Sequence, residues 1–195
     1  MKLGEFCDIL TGFPFDSSNF VTQGIRLMRG MNIKRGLLDF NKDDNRYWKD
    51  SIGFERYLLA EDDIVISMDG SLVGKSFGII TKKHLPLLLV QRVARIRTTK
   101  YNIRYVYFYI TNKFSEYVDK VKTKGAIPHI SKKNISDFVV PIPPLSEQRR
   151  IVSILDKFET LVNDLTEGIP AEIAAVQEQY EYYRNKLLSF PKLEA

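Results

Sequence analysis

The chain is poor in the residues from which most catalytic and metal sites are built. A single cysteine, Cys7, excludes a disulfide framework and a cysteine-rich zinc site. Two histidines, His84 and His129, leave few catalytic bases of the usual kind. No apolar run approaches the ~18 residues of a membrane-spanning helix. The start, Met1-Lys2-Leu3-Gly4-Glu5-Phe6, lacks the long apolar stretch of a secretory signal. The expectation is a soluble, reducing, cytoplasmic setting with no membrane contact and no cofactor of the chain's own.

What is present can build a core. Of 195 residues, 44% are hydrophobic and 12% aromatic, so wholesale disorder is excluded. The net charge of +5 is unevenly spread. Residues 146–195 hold six basic against nine acidic groups, a net −3, which leaves +8 for residues 1–145. A basic domain attracts polyanions, of which nucleic acid is the commonest inside cells.

The front part reads as mixed strand and helix. Ile64-Val65-Ile66, Phe77-Gly78-Ile79-Ile80 and Leu87-Leu88-Leu89-Val90 are short β-branched or apolar runs, the last continuing through Val93 and Ile96. Turn signals lie at Arg35-Gly36, Asp69-Gly70 and Lys124-Gly125. Alternation along Val90–Arg97 puts Arg95 and Arg97 on one face of a strand. Val106, Ile110, Phe114, Tyr117 and Val121 then recur at helical spacing, which predicts a helix over 103–121. Ser131 is the N-cap of a short helical segment ending near Phe138. Three prolines, Pro141, Pro143 and Pro144, mark the boundary between a domain of residues 1–145 and a helical region of 146–195.

In the tail, Ser146 reads as an N-cap and Glu147 suits the helix dipole. Ile151, Ile154, Phe158, Leu161 and Leu165 alternate three and four apart, a heptad seam. Gly168-Ile169-Pro170 interrupts it, and Pro170 fits the first position of a new helix. The seam resumes at Ile173, Val176, Tyr180, Tyr183 and Leu187, one residue out of step. Either the chain kinks and continues, spanning about 65 Å at 1.5 Å per residue, or the two helices fold back. The seam pairs with a partner helix or packs on the chain's own front domain.

Candidate chemistry is sparse. Asp69-Gly70-Ser71-Leu72-Val73-Gly74-Lys75-Ser76 nearly matches a phosphate-binding loop, but Asp69 fills the place of the first glycine. The β-rich Phe77–Thr81 also follows where a helix is needed. A strand–turn–strand displaying Ser71 and Lys75 fits better. Asp62, Asp63 and Asp69 lack the pattern of a metal-dependent nuclease; Asp62-Asp63 reads as a turn. Cys7 sits in an apolar stretch and reads as buried and inert. His129 has no carboxylate or serine partner nearby in sequence and reads as structural or as a polar contact.

An ordered set of segments resembles one family, the specificity subunits of type I restriction–modification systems. They run from Leu3-Gly4-Glu5 through Thr11-Gly12-Phe13-Pro14, then Asp63–Ser71, Gln91–Ile96, Gly125–Ser131 and Val140–Val152. The last, Pro141-Ile142-Pro143-Pro144-Leu145-Ser146-Glu147-Gln148-Arg149-Arg150, is the most specific. The resemblance implies an α+β fold: a mixed target-recognition domain followed by long amphipathic helices that form an antiparallel coiled coil or bundle with a second copy. It implies a non-catalytic subunit that reads a half-site in double-stranded DNA. It also implies partner methyltransferase subunits, which bind S-adenosylmethionine, and a restriction subunit driven by ATP. Family members carry two recognition domains; this sequence holds one, so a homodimer and an interrupted palindromic target are expected. By residue type, the DNA contacts are expected at Arg26, Arg29, Asn32, Lys34 and Arg35, at Ser71 and Lys75, and at Lys122, Lys124, His129, Lys132 and Lys133. Two rival classes are a coiled-coil scaffold with a protein-binding basic domain, and a stand-alone nuclease or nucleotide hydrolase using the Asp62–Lys75 region.

Overall fold

A computed structural model describes residues 1–40, 43, 45–123, 125, 127–165 and 170–189, with backbone alone at 163–165 and 170–174. Its centre follows from the apolar runs. An unbroken apolar strand needs cover on both faces, and β4 (Ile64–Ser67) is buried at every position. It lies inside an antiparallel four-stranded sheet of order β1 (Asp8–Thr11), β7 (Val93–Arg97), β4, β5 (Phe77–Ile79). Ile64, Ile66, Ala94 and Ile96 share one core with the helices. Val65, Val93 and Leu10 share another with the second sheet. Strand alternation produces this division.

The second sheet has the order β3 (Tyr47–Trp48), β2 (Ile25–Met28), β6 (Leu87–Leu89), with β2 and β6 parallel. Leu87 and Leu89 face the first sheet's core, while Leu88 joins Phe15, Trp48 and Phe54 on the far side. Here the structure corrects the sequence reading. The run from Leu87 to Ile96 is not one strand. It breaks at Gln91-Arg92 and changes sheets, with Arg92 in the left-handed region at φ 68°.

The expected helix is α1 (Ile103–Val121). Asn102 caps it, its Oδ1 accepting from the N–H groups of Arg104 and Tyr105. Val106, Ile110, Phe114 and Val118 are its fully buried stripe. Four such side chains each contribute about 1.5–3 kcal/mol by leaving water. Ser131 caps α2 (Lys132–Asp137) as expected, accepting from the Asn134 N–H.

The tail forms α3 (Leu145–Leu165) and α4 (Pro170–Leu187). Pro170 does open a helix. Ser146 is not a cap: α3 starts one residue earlier, and the Pro144 carbonyl accepts from the N–H groups of Glu147 and Gln148. The two helices fold back on each other. Phe158 stacks on Tyr183, with ring centroids 5.6 Å apart, and also meets Tyr180. The 65 Å span of a continuous helix is therefore replaced by a stalk of 21 residues, about 32 Å long. The first turns of α3 are not outside the head. Ile151, Val152 and Leu155 belong to its core, and so does Leu188 beyond α4. Val176 and Leu187 are half-buried, as is Ile154, whereas Leu161 is 52% exposed. The Leu165 and Ile173 side chains, and the Gly168–Ile169 break, lie outside the described residues.

One buried amide joins head to stalk. Gln148 has no exposed surface. Its Oε1 accepts the Asn102 N–H at 3.0 Å and its Nε2 donates to the Pro143 carbonyl at 2.8 Å. Arg104 on α1 reaches Asp156 and Glu159 on α3. The chain start closes the same corner, with Leu3 N–H donating to the Phe138 carbonyl and Lys2 paired to Asp137.

Candidate nucleic-acid interface

The β4–β5 connection is a compact turn in which Gly70, at φ 97°, takes a conformation open mainly to glycine. Ser71 and Lys75 are exposed on it, as the sequence suggested. Beside it lies the turn Gly30–Asn32 after β2, and beside both lies Gln91-Arg92 between β6 and β7. Together they line a cleft of about 470 Å³. Arg29, Lys34 and Ser71 come from the expected set; Gln91 and Arg92 do not. Both are exposed, and Arg92 lies 3.5 Å from Asp69. The signal that could have found them is their position: two long polar residues breaking an apolar run, where the chain must turn.

The third basic segment packs on the same turn. His129 pairs with Asp69 as an isolated β-bridge, and Gly70 N–H donates to the Pro128 carbonyl at 3.1 Å. The His129 ring stands 2.9 Å from Thr123 Oγ1, which answers the question of its partner. Lys132 is exposed at the start of α2. Lys122 and Lys133 hold Asp119 and Asp137, and both carboxyls are pulled below the usual range by those lysines. Lys124 lies outside the described residues.

Other members of the expected set stand apart from the cleft lining. The Asn32 side chain is buried and spent: Oδ1 accepts the Arg29 N–H, and Nδ2 donates to the Asp39 carbonyl. The Arg26 guanidinium lies over the Phe40 ring at 4.7 Å. Arg35 is exposed and sits where its segment bridges to Phe77 of β5.

Two of the three carboxylates considered for metal chemistry are engaged by arginines, Asp69 by Arg92 and Asp63 by Arg97. Asp63 is fully buried and binds Arg97 through both oxygens. Asp62 stands in a turn at φ 66°. Among the described residues, no group of three or more His, Cys, Asp or Glu is placed to hold a metal ion. Arg95 and Arg97 are consumed by Asp8 and Asp63. Cys7 is buried, and desolvation pushes its thiol up to about 12. No helix among the described residues is long and apolar enough to cross a membrane.

An α+β head followed by long amphipathic helices is what the resemblance implies, and the structure has both. The family model for the type I restriction modification DNA specificity domain matches residues 1–175. The chain belongs to this family.

Relatives within the type I specificity family include the specificity subunit of the type I restriction enzyme EcoAI of Escherichia coli. It is 36% identical over 170 residues, covering 84% of this chain and 28% of that protein. The EcoR124I/EcoR124II specificity subunit of Escherichia coli is 47% identical over 93 residues, covering 47% of this chain and 23% of that one. Among solved structures, the HsdS subunit from Thermoanaerobacter tengcongensis superposes with a TM-score of 0.63 at 23% identity, over 96% of this chain and 44% of that chain. At that identity the likeness speaks for the fold. The chain thus spans less than a third of these two curated relatives, and under half of the solved chain.

Proposed function

We propose that this type I specificity chain binds double-stranded DNA sequence-specifically, through the cleft between the Gly30–Asn32, Asp69–Lys75 and Gln91–Arg92 turns. One observation carries the reading. Three segments spread over some 60 residues of sequence converge there with guanidinium, ammonium, hydroxyl and amide groups, the donor set that grips phosphates and reads base edges. The basic head, at +8, supplies the long-range attraction. Lys132 and His129 extend the same face from the neighbouring segment.

In this reading the chain is cytoplasmic, performs no chemistry and holds no cofactor. It positions methyltransferase subunits, which carry S-adenosylmethionine, and through them a restriction subunit. One head reads one half-site. Two copies related by a twofold axis read an interrupted palindrome, with stalk length setting the gap. The fold-back of α4 uses part of the heptad seam within the chain. A second copy then meets the hairpin's outer faces rather than a bare helix.

The test is methylome sequencing of cells that co-express the chain with a cognate modification subunit. A bipartite palindromic methylated sequence is the expected result. Absence of any methylated sequence dependent on the chain, together with no shift of genomic DNA at low salt, would refute the proposal. Light scattering that finds a monomer at micromolar concentration would remove the twofold arrangement alone.

A further inference from the structure

The cleft is not uniformly polar. Met31 lines it and is 43% exposed, and Leu72, 36% exposed, lines it from the neighbouring turn. A lone exposed methionine is ordinary. This one stands on a turn that is fixed at both ends. The buried Asn32 side chain ties the turn to Arg29 and Asp39 through bonds of 3.0 and 3.1 Å. Ile33 follows, 2% exposed, its N–H donating to the Gly30 carbonyl at 3.1 Å. At the other end, a Cβ on Gly30 would stand 2.9 Å from Ser67 Oγ, so the turn seats closely against β4. The turn is tied down on both sides, and the side chain it presents is apolar.

We infer that Met31 is a specificity-determining residue, packing on the C5-methyl of a thymine in the DNA major groove. This rests on the DNA-binding reading above. Of the four bases, only thymine offers an apolar group in that groove. A thioether offers a phosphate no donor, so a phosphate contact is excluded by its chemistry. The flexible, polarizable methionine chain fits a methyl contact well. Leu72 supplies a second apolar group in the lining, and the Arg92 guanidinium lies 3.5 Å from the Asp69 carboxylate.

Deoxyuridine differs from thymidine only in lacking that methyl, and its base pairing is unchanged. With the full chain in the assembly that binds its target, each target thymine is replaced in turn by deoxyuridine. At one position per half-site, wild-type affinity should fall about fourfold, the factor for one methyl-sized group leaving water. Met31→Ala and Met31→Gln should bind the thymine target about fourfold more weakly and show no further loss with deoxyuridine. Met31 is exposed enough for both variants to fold, which thermal melting confirms. A target without thymine on either strand, or equal deoxyuridine sensitivity in wild type and variants, overturns the inference while leaving DNA binding intact. A chain that binds no DNA overturns the earlier reading instead.

Discussion

Arg97 and Asp63 form a two-pronged ion pair: Nε to Oδ1 at 2.6 Å and the second nitrogen to Oδ2 at 2.7 Å. Asp63 is wholly buried, and Oδ2 also accepts the Ala60 N–H at 2.7 Å. The aspartate set aside as a metal ligand on sequence grounds is the anchor of β7's end to the turn before β4. Its hydrogen bonds hold the Arg97 guanidinium above its ordinary value.

Removing one member of that pair strands the other. Asp63→Ala removes the carboxylate that also accepts the Ala60 N–H and leaves Arg97, 38% exposed, to solvent; it is expected to cost about 1–3 kcal/mol, the range for losing hydrogen bonds to a charged group. Urea unfolding measures it. A loss below about 1 kcal/mol would mean that water replaces the carboxylate.

The basic face should announce itself in salt dependence. Replacing Lys75, Lys122, Lys124, Lys132 and Lys133 together by glutamine should flatten the plot of log affinity against log salt by about 0.9 per lost phosphate contact. Singly, Lys75→Gln and Lys132→Gln should act more strongly than Lys122→Gln or Lys133→Gln, since the latter ammonium groups already sit on Asp119 and Asp137. Fluorescence anisotropy across a salt series reads this. An unchanged slope in the fivefold variant removes the cluster from the interface.

His84 ties stability to mild acid. Its Nδ1 accepts the Thr81 N–H at 3.1 Å, which requires the neutral ring. Burial first, then the nearby Lys83 and Arg26 charges, lower its pKa from the ordinary 6.5. Between the lowered folded value and 6.5 the unfolded chain binds more protons, so stability must rise with pH there. Its contribution is complete above pH 6.5 and is lost as pH falls toward the folded value. Melting temperature should drop below about pH 6.5 more steeply in wild type than in His84→Asn. Identical pH profiles would contradict this.

The helical hairpin has its own test. Phe158→Ala removes the stack on Tyr183 and the contact with Tyr180 and should cost about 1–2 kcal/mol. Hydrogen exchange should quicken along α4 while the sheet amides keep their protection. Equal protection of α4 in both proteins would show that the aromatic contact does not hold it.

Much of the architecture was legible wherever the signal was local. The α1 stripe at Val106, Ile110, Phe114, the Ser131 cap, the β4–β5 turn and Pro170 as a helix start all follow from short-range periodicity and backbone preference. What stayed hidden is set by partners far along the chain. Leu87–Ile96 reads as one run because apolar content alone does not say that Gln91-Arg92 switches sheets. Asn32 was grouped with possible DNA contacts by type; its burial depends on Asp39 and on the way β2 exits. The cleft itself is a convergence of three turns, and Gln91 and Arg92 join it only through that topology. The choice between an extended and a folded-back tail turned on whether Phe158 could find Tyr180 and Tyr183.

Gln148 has a quieter consequence. Both partners of its buried amide are main-chain atoms, the Asn102 nitrogen and the Pro143 oxygen. At this glutamine the joint reads backbone rather than any side chain of the head, whereas Arg104 and the core around Ile151, Val152 and Leu155 tie head to stalk through side chains. A head of different sequence that delivered those two backbone atoms to the same places would keep this one contact. It would still have to match the apolar face of α3.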